Sequence, residues 1–320
     1  MQLKRTDLAI EAHEMLMEAA QELSGVSVQQ EDKGGAHIAR VSIETLRAQT
    51  QMGKPIGRYI TVEFPEADLS EGDAYEALCK VVAEELSSLL SLQKNSKILV
   101  VGLGNRNITP DALGPKVIEK LVVTRHLFSY MPEVLSDGMR SVCAIAPGVL
   151  GLTGMETEEV IRGVVDKVRP DAVIVVDALA ARSTARISAT VQICDTGISP
   201  GAGVGNKRKA LDKGSLGVPV IAVGVPTVID AVTISADVLE SASKNGEDTA
   251  ESLSAALSEM DAEAKQDWLR RSVPGELSGF IVTPKDVDLL LDRVSKLVAN
   301  GINFALHQNL SFEDIALYTS

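Results

Sequence analysis

Lys97-Ile98-Leu99-Val100-Val101 and Ala172-Val173-Ile174-Val175-Val176 decide the fold. Each is an unbroken apolar run rich in β-branched residues, short enough for a strand and too short for a buried helix. Continuous apolar character, rather than alternation, marks a strand covered on both faces, as in a parallel sheet. Val142 to Ala146, Thr190 to Cys194 and Pro219 to Val223 read as further strands. Between them, Lys116 to His126 and Glu158 to Val168 carry apolar residues at helical spacing, the second stopped at Arg169-Pro170. More helices are expected at Val228 to Glu240, Ser252 to Glu263 and Asp286 to Ala299, with a polar hinge around Pro274-Gly275. This alternation gives the fold class as α/β, a mostly parallel central sheet flanked by helices.

Residues 1–96 read differently. A short acidic helical opening precedes strands near His37 to Glu44 and Tyr59 to Glu63, and a helix runs from Asp73 to Leu92. The chain therefore divides into a small N-terminal β-containing extension over 8–96 and an α/β catalytic core over 97–320. No repeat of fixed period is present.

Composition narrows the function classes. With 320 residues, 45% of them hydrophobic, the chain has enough apolar surface for a large core. A formal net charge of -13 and 3% aromatic content provide neither the basic field nor the stacking platforms of a nucleic-acid binder. Cys79, Cys143 and Cys194 form no CxxC pair, and the last two sit in apolar runs, so a reducing, cytoplasmic setting is expected. No signal-like opening and no stretch of about 20 apolar residues is present, so no membrane partner is expected.

In an open parallel sheet, chemistry belongs beyond the carboxyl ends of the strands. The segment after the first strand, Gly102 to Pro115, carries Asp111, which reads either as a catalytic acid or as a turn and cap residue. Asp177 directly ends the third run, a poor place for a solvated surface acid, although it could instead anchor the next loop. Asp195-Thr196-Gly197 offers another acid, catalytic or structural, followed by the glycine-rich, basic segment Ile198 to Lys209. That segment lacks GK[ST], so it is not a Walker A phosphate cradle, and Gly102-x-Gly104 lacks its third glycine, which makes it a weak nucleotide-binding signal. The four histidines, His13, His37, His126 and His307, make no metal-ligand pair by spacing, and there is no nucleophile elbow or Cys-His set. By elimination, carboxylates would have to carry any hydrolysis.

Gly102 to Pro115, Val175 to Ala180 and Asp195 to Asn206, together with Arg5-Thr6-Asp7-Leu8-Ala9, Ala146-Pro147-Gly148-Val149 and Val225-Pro226-Thr227-Val228, resemble the germination proteases of endospore-forming bacteria. The resemblance runs nearly end to end. It implies an aspartic-type endopeptidase of the spore core that starts the degradation of small acid-soluble spore proteins, made as a self-processed zymogen and assembled as a homotetramer. It also implies that Asp111 and Asp177 are the catalytic pair. Residues 1–7 would be a propeptide, cut between Asp7 and Leu8, because the family cuts after an acid and before an apolar residue. Selecting that acid needs a cation, for which Arg182, Lys207, Arg208 and Lys209 are the candidates. The family is distantly similar to the metal-binding hydrogenase-maturation peptidases, but no histidine stands in the corresponding loops here, so no metal and no cofactor is expected. Two alternatives are a metal-dependent maturation-type peptidase and a non-peptidase module binding a ligand through Gly102 to Asn105.

Overall fold

The structure, a computed structural model, describes residues 6–18, 23–70, 72–201, 208–235 and 279–319. Its strands are β1 (Val26–Lys33), β2 (Ala36–Ile43), β3 (Gly57–Glu63), β4 (Lys97–Gly102), β5 (Ser141–Ile145), β6 (Ala172–Ala181), β7 (Thr190–Cys194), β8 (Val220–Asp230) and β9 (Ile281–Val282). The helices are α1 (Ala9–Glu18), α2 (Leu46–Met52), α3 (Asp73–Leu89), α4 (Leu113–Ile118), α5 (Arg125–Tyr130), α6 (Leu150–Thr153), α7 (Thr157–Val168), α8 (Lys213–Leu216), α9 (Val287–Leu306) and α10 (Phe312–Thr319).

All the described strands join one sheet in the order β1-β2-β3-β7-β8-β6-β4-β5, with β9 added beside β8. The two deciding runs pair in parallel, Ile98 beside Ala172 and Gly102 beside Val176, and β5 and β8 extend this parallel centre on either side. β7 runs antiparallel to β8, and β3, β2 and β1 continue antiparallel from it. The reason is connection length. Only residues 182–189 separate β6 from β7, whereas a parallel return needs a crossover of about a dozen residues or more. The chain therefore re-enters the sheet from the end it left, and the N-terminal strands extend that edge by hydrogen bonds.

One face of the sheet is covered by α3, α4 and α9, which bury Leu78, Val82, Val117, Leu291 and Val298 against Ile98, Val100, Ile174 and Val176. The opposite face carries two clusters. Ile161 and Val165 of α7 pack on Leu99, Val101, Val173 and Val175. Leu8, Ile10 and Leu16 pack on Val41, Tyr59, Leu179, Ala181 and Cys194. Fully burying an aliphatic side chain contributes about 1.5–3 kcal/mol, so both clusters hold their helices firmly. Side chains alternate along a strand, so Asp177, between Val175 and Leu179, faces the seam where the two clusters adjoin.

Several expected boundaries shift. Lys116 to His126 is not one helix: α4 ends at Ile118 and α5 starts at Arg125. The chain between is drawn to other partners, because the Val122 amide donates to Asn303 Oδ1 at 2.9 Å and the Thr124 amide to the Val142 carbonyl at 3.0 Å. β6 and β8 run well past Val176 and Val223, with a register shift between Leu179 and Ala180. Residues 228–230 are therefore strand and helical structure starts at 231. The rest of that expected helix, the one at Ser252 to Glu263 and the hinge at Pro274-Gly275 lie outside the described residues. β1 and α2 were not anticipated: β1 is almost wholly exposed and α2 is only seven residues long, so neither shows a clear periodicity. The three cysteines are free, and among the described residues no helix is long and apolar enough to cross a membrane.

Candidate active site

Asp177 lies inside β6 rather than beyond its end, which corrects its expected position. The strand continues because Ala178 to Ala181 pair with Val225 to Ile229 of β8 and are covered by α1. Asp111 closes a 3₁₀ turn, Thr109–Asp111, that follows β4 and leads into α4. The turn is fastened from below, since Thr227 Oγ1 donates to the Pro110 carbonyl at 2.7 Å and Thr283 Oγ1 to the Thr227 carbonyl at 2.9 Å. Asp111 and Asp177 thereby come together in one cleft of about 450 Å³, with Ile108, Val149, Leu150 and Ile198 among its apolar walls.

Two glycines make this approach feasible. A Cβ at Gly114 would stand 2.2 Å from the Leu103 carbonyl, so the start of α4 reaches the end of β4 only without a side chain. Gly104 has φ +109, and a Cβ there would stand 1.9 Å from the Asp111 carbonyl oxygen. Gly104→Ala is therefore expected to displace the Asp111 turn. Activity should fall about 100-fold, as a misplacement of about 1 Å produces, and peptide hydrolysis at near wild-type rate would contradict this geometry.

The electrostatics separate the two acids. Asp177 is buried, and burial holds its carboxyl far above the usual carboxylate range; the charges of Asp111 and Asp7 push the same way, against one hydrogen bond from the Ala178 amide at 2.9 Å. Asp111 is also raised by burial, opposed by the Asn105 amide, which donates to Oδ2 at 2.8 Å. Desolvation thus acts on both, while neighbouring like charges add their effect at Asp177. That combination divides a carboxylate pair into one proton holder and one anion.

A third acid shares the cleft. Asp7 projects between the walls, its Oδ2 accepting from the Ala180 amide at 2.9 Å while its own amide donates to the Ala180 carbonyl at 2.9 Å. Sequence reading named Asp7 as the residue before the processing cut but not its hold on Ala180, because no local pattern links residue 7 to residue 180. Lys54, Gln192 and Glu11, which hold the same segment, were missed for the same reason.

The other expected residues separate. Asp195 accepts from the Arg58 amide at 2.8 Å and from Arg58 Nε at 2.9 Å, tying the end of β7 to the start of β3 away from the cleft. Arg208 lines the cleft and lies 4.0 Å from Glu156. Lys209 reaches Glu158 at 3.5 Å on α7, and Lys207 lies outside the described residues. Arg182 lines a different recess of about 890 Å³, whose Arg186 is ion-paired with Glu14 and Glu63. His307 is buried between the Val122 carbonyl and the Arg140 amide, and burial lowers it to about 4, so it serves the core as a neutral ring. Among the described residues, no group of three or more His, Cys, Asp or Glu is placed to hold a metal ion.

Fold and cleft together define an α/β protein with a carboxylate-centred site at the parallel centre of a mixed sheet. The family model described as Germination protease matches residues 4–276. The germination protease of Caldanaerobacter subterraneus subsp. tengcongensis is 47% identical over 97% of this chain and 96% of its own length. That of Clostridium tetani is 45% identical over 98% of both chains, and that of Bacillus mycoides 40% identical over 98% of this chain and 96% of its own. The chain belongs to the germination protease family. It is accordingly a protease of spore germination. A solved [NiFe] hydrogenase maturation protease from Thermococcus kodakarensis aligns at 16% identity and a TM-score of 0.33, covering 68% of this chain and 98% of that one.

Proposed function

We propose that the chain is an aspartic-type endopeptidase that hydrolyses small acid-soluble spore proteins in the spore core, using Asp111 and Asp177 to activate water. The observation that carries this reading is the convergence of the two acids in one cleft with unequal tendencies to hold a proton, both raised by burial but Asp177 also by its neighbours' charges. Asp111, whose anion receives the Asn105 amide, is the base that takes a proton from the attacking water. Asp177, kept protonated by burial and by neighbouring carboxylates, is the acid that protonates the leaving amine. Arg208 is the best placed of the four candidate cations to meet an acidic substrate side chain, since it lines the same cleft. The protein works as a homotetramer.

The chain is made as a zymogen that removes residues 1–7 by cutting between Asp7 and Leu8. Supporting this, Asp7 is already in the carboxylate cleft, and Leu8, the first residue after the proposed cut, is fully buried against the sheet. Incubating the protein alone should yield a product whose N-terminal sequence starts at Leu8. Adding a small acid-soluble spore protein should yield fragments ending in Asp or Glu by mass spectrometry. A mature N-terminus elsewhere, or fragments without acidic ends, would remove the processing and specificity readings respectively.

A further inference from the structure

Asp7 is gripped at its amide, its side chain and its carbonyl. Besides the two contacts with Ala180, its carbonyl oxygen accepts from Lys54 Nζ at 2.9 Å and from Gln192 Nε2 at 3.1 Å. The orientation of Gln192 is set by its other end, because Oε1 accepts from the Ala9 amide at 2.6 Å and leaves Nε2 turned to Asp7. Lys54 Nζ also reaches the Thr6 carbonyl at 3.2 Å, yet among the described residues it forms no ion pair. At hydrogen-bond distance this partly buried ammonium meets carbonyl oxygens alone, with the charges of Asp7 and Glu11 acting from farther off, and taking it from water for such partners is unfavourable. The arrangement makes chemical sense if one of those oxygens becomes an anion. Sheet register strengthens the point: Gln192 and Asp177 both pair with Gly224, so they lie on one face of the sheet, two strands apart.

We propose that Lys54 and Gln192 are catalytic residues that stabilise the oxyanion, and that with the Ala180 amide they form the subsite for the acidic residue preceding the cut. This rests on the reading of Asp7 to Leu8 as the self-processed bond. The water oxygen bonds to the Asp7 carbonyl carbon as Asp111 takes a proton from that water. The carbonyl electron pair moves onto its oxygen, where the Lys54 and Gln192 donors already point. Collapse of that intermediate breaks the bond from carbon to the Leu8 nitrogen, which takes the proton of Asp177 and becomes the new amine. The Ala180 amide meanwhile holds the acidic side chain. After processing, Asp7 leaves with its segment, and the same donors receive the acidic residue of another polypeptide.

The test uses the full-length chain with Lys54→Met, Lys54→Arg and Gln192→Ala. Lys54→Met should slow self-cleavage about 100- to 1000-fold and Gln192→Ala about 10- to 100-fold, the scale of removing an oxyanion donor. With a small acid-soluble spore protein, the loss should fall on kcat with KM little changed. Lys54→Arg should recover much of the rate. Hydrogen exchange of the amides of Ile10 to Ala12 should match wild type in all three variants; the Ala9 amide is set aside because Gln192→Ala removes its acceptor. The proposal is overturned by near wild-type self-cleavage in Lys54→Met, by a loss confined to KM, or by a loss that tracks faster exchange of those amides, which would make Lys54 a structural strap. A wild-type cut elsewhere, read from the intact mass of the product, would instead defeat the processing assignment itself.

Discussion

Asp177→Asn and Asp111→Asn are each expected to fold and to lose about 1000-fold or more of peptide hydrolysis, against a separate protein and against the chain's own N-terminus. The amide keeps the volume of the acid but neither takes nor gives a proton at neutral pH, and a positioned acid or base supplies about 100- to 10,000-fold. The two variants should differ in stability. Folded Asp177 keeps its proton to a higher pH than the unfolded chain does, because burial and the charges of Asp111 and Asp7 oppose its ionisation. Stability is therefore lost as pH rises from the unfolded value, about 3.9, toward the folded one, since the unfolded state ionises first. Asparagine carries no such cost. At neutral pH Asp177→Asn should melt at or above the wild-type temperature, and below about pH 3.9 the two should converge. Activity should rise with pH as Asp111 ionises and fall as Asp177 loses its proton, and Asp177→Asn should have no residual profile of this shape. An Asp177→Asn enzyme turning over within tenfold of wild type would end the two-carboxylate mechanism.

The centre of this fold could be read from the chain because β4 and the first half of β6 are apolar on both faces. Such runs have few other fates. Their termini pointed to Asp111 and Asp177, since strand ends are where an α/β sheet places its chemistry. The distal half of β6 was less legible. Ala178-Leu179-Ala180-Ala181 has weak strand character, and it is strand here because β8 pairs with it and α1 covers it. Tertiary partners override local propensity in such a case. The grip on Asp7 was not legible at all, because it joins residues 7, 54, 180 and 192, which no short spacing connects. Conversely, Asp195-Thr196-Gly197 was locally conspicuous and lies elsewhere, its acid held by Arg58.

Glu11→Ala should destabilise the protein by about 3–5 kcal/mol, the cost of removing one member of a buried charged network. Glu11 is 1% exposed and sits in the first turn of α1. Its two oxygens accept from the Arg182 amide at 2.7 Å and the Ser183 amide at 2.9 Å, and it also receives the Thr6 hydroxyl and faces Arg186 at 3.4 Å. Alanine would leave two main-chain donors without their acceptors just beyond β6, each costing about 1–3 kcal/mol when buried. Glu11→Gln keeps one acceptor oxygen and should lose roughly half as much, so the pair separates hydrogen bonding from charge. The functional consequence follows from position. Glu11 fixes α1 to the chain leaving β6, and through it fixes Asp7 beside Ala180. Self-cleavage should therefore slow more in Glu11→Ala than cleavage of a separate protein, whose acidic residue arrives without help from α1. Urea unfolding measures the first effect and parallel rate measurements the second. A Glu11→Ala midpoint equal to wild type would mean that α1 is held by its apolar face alone.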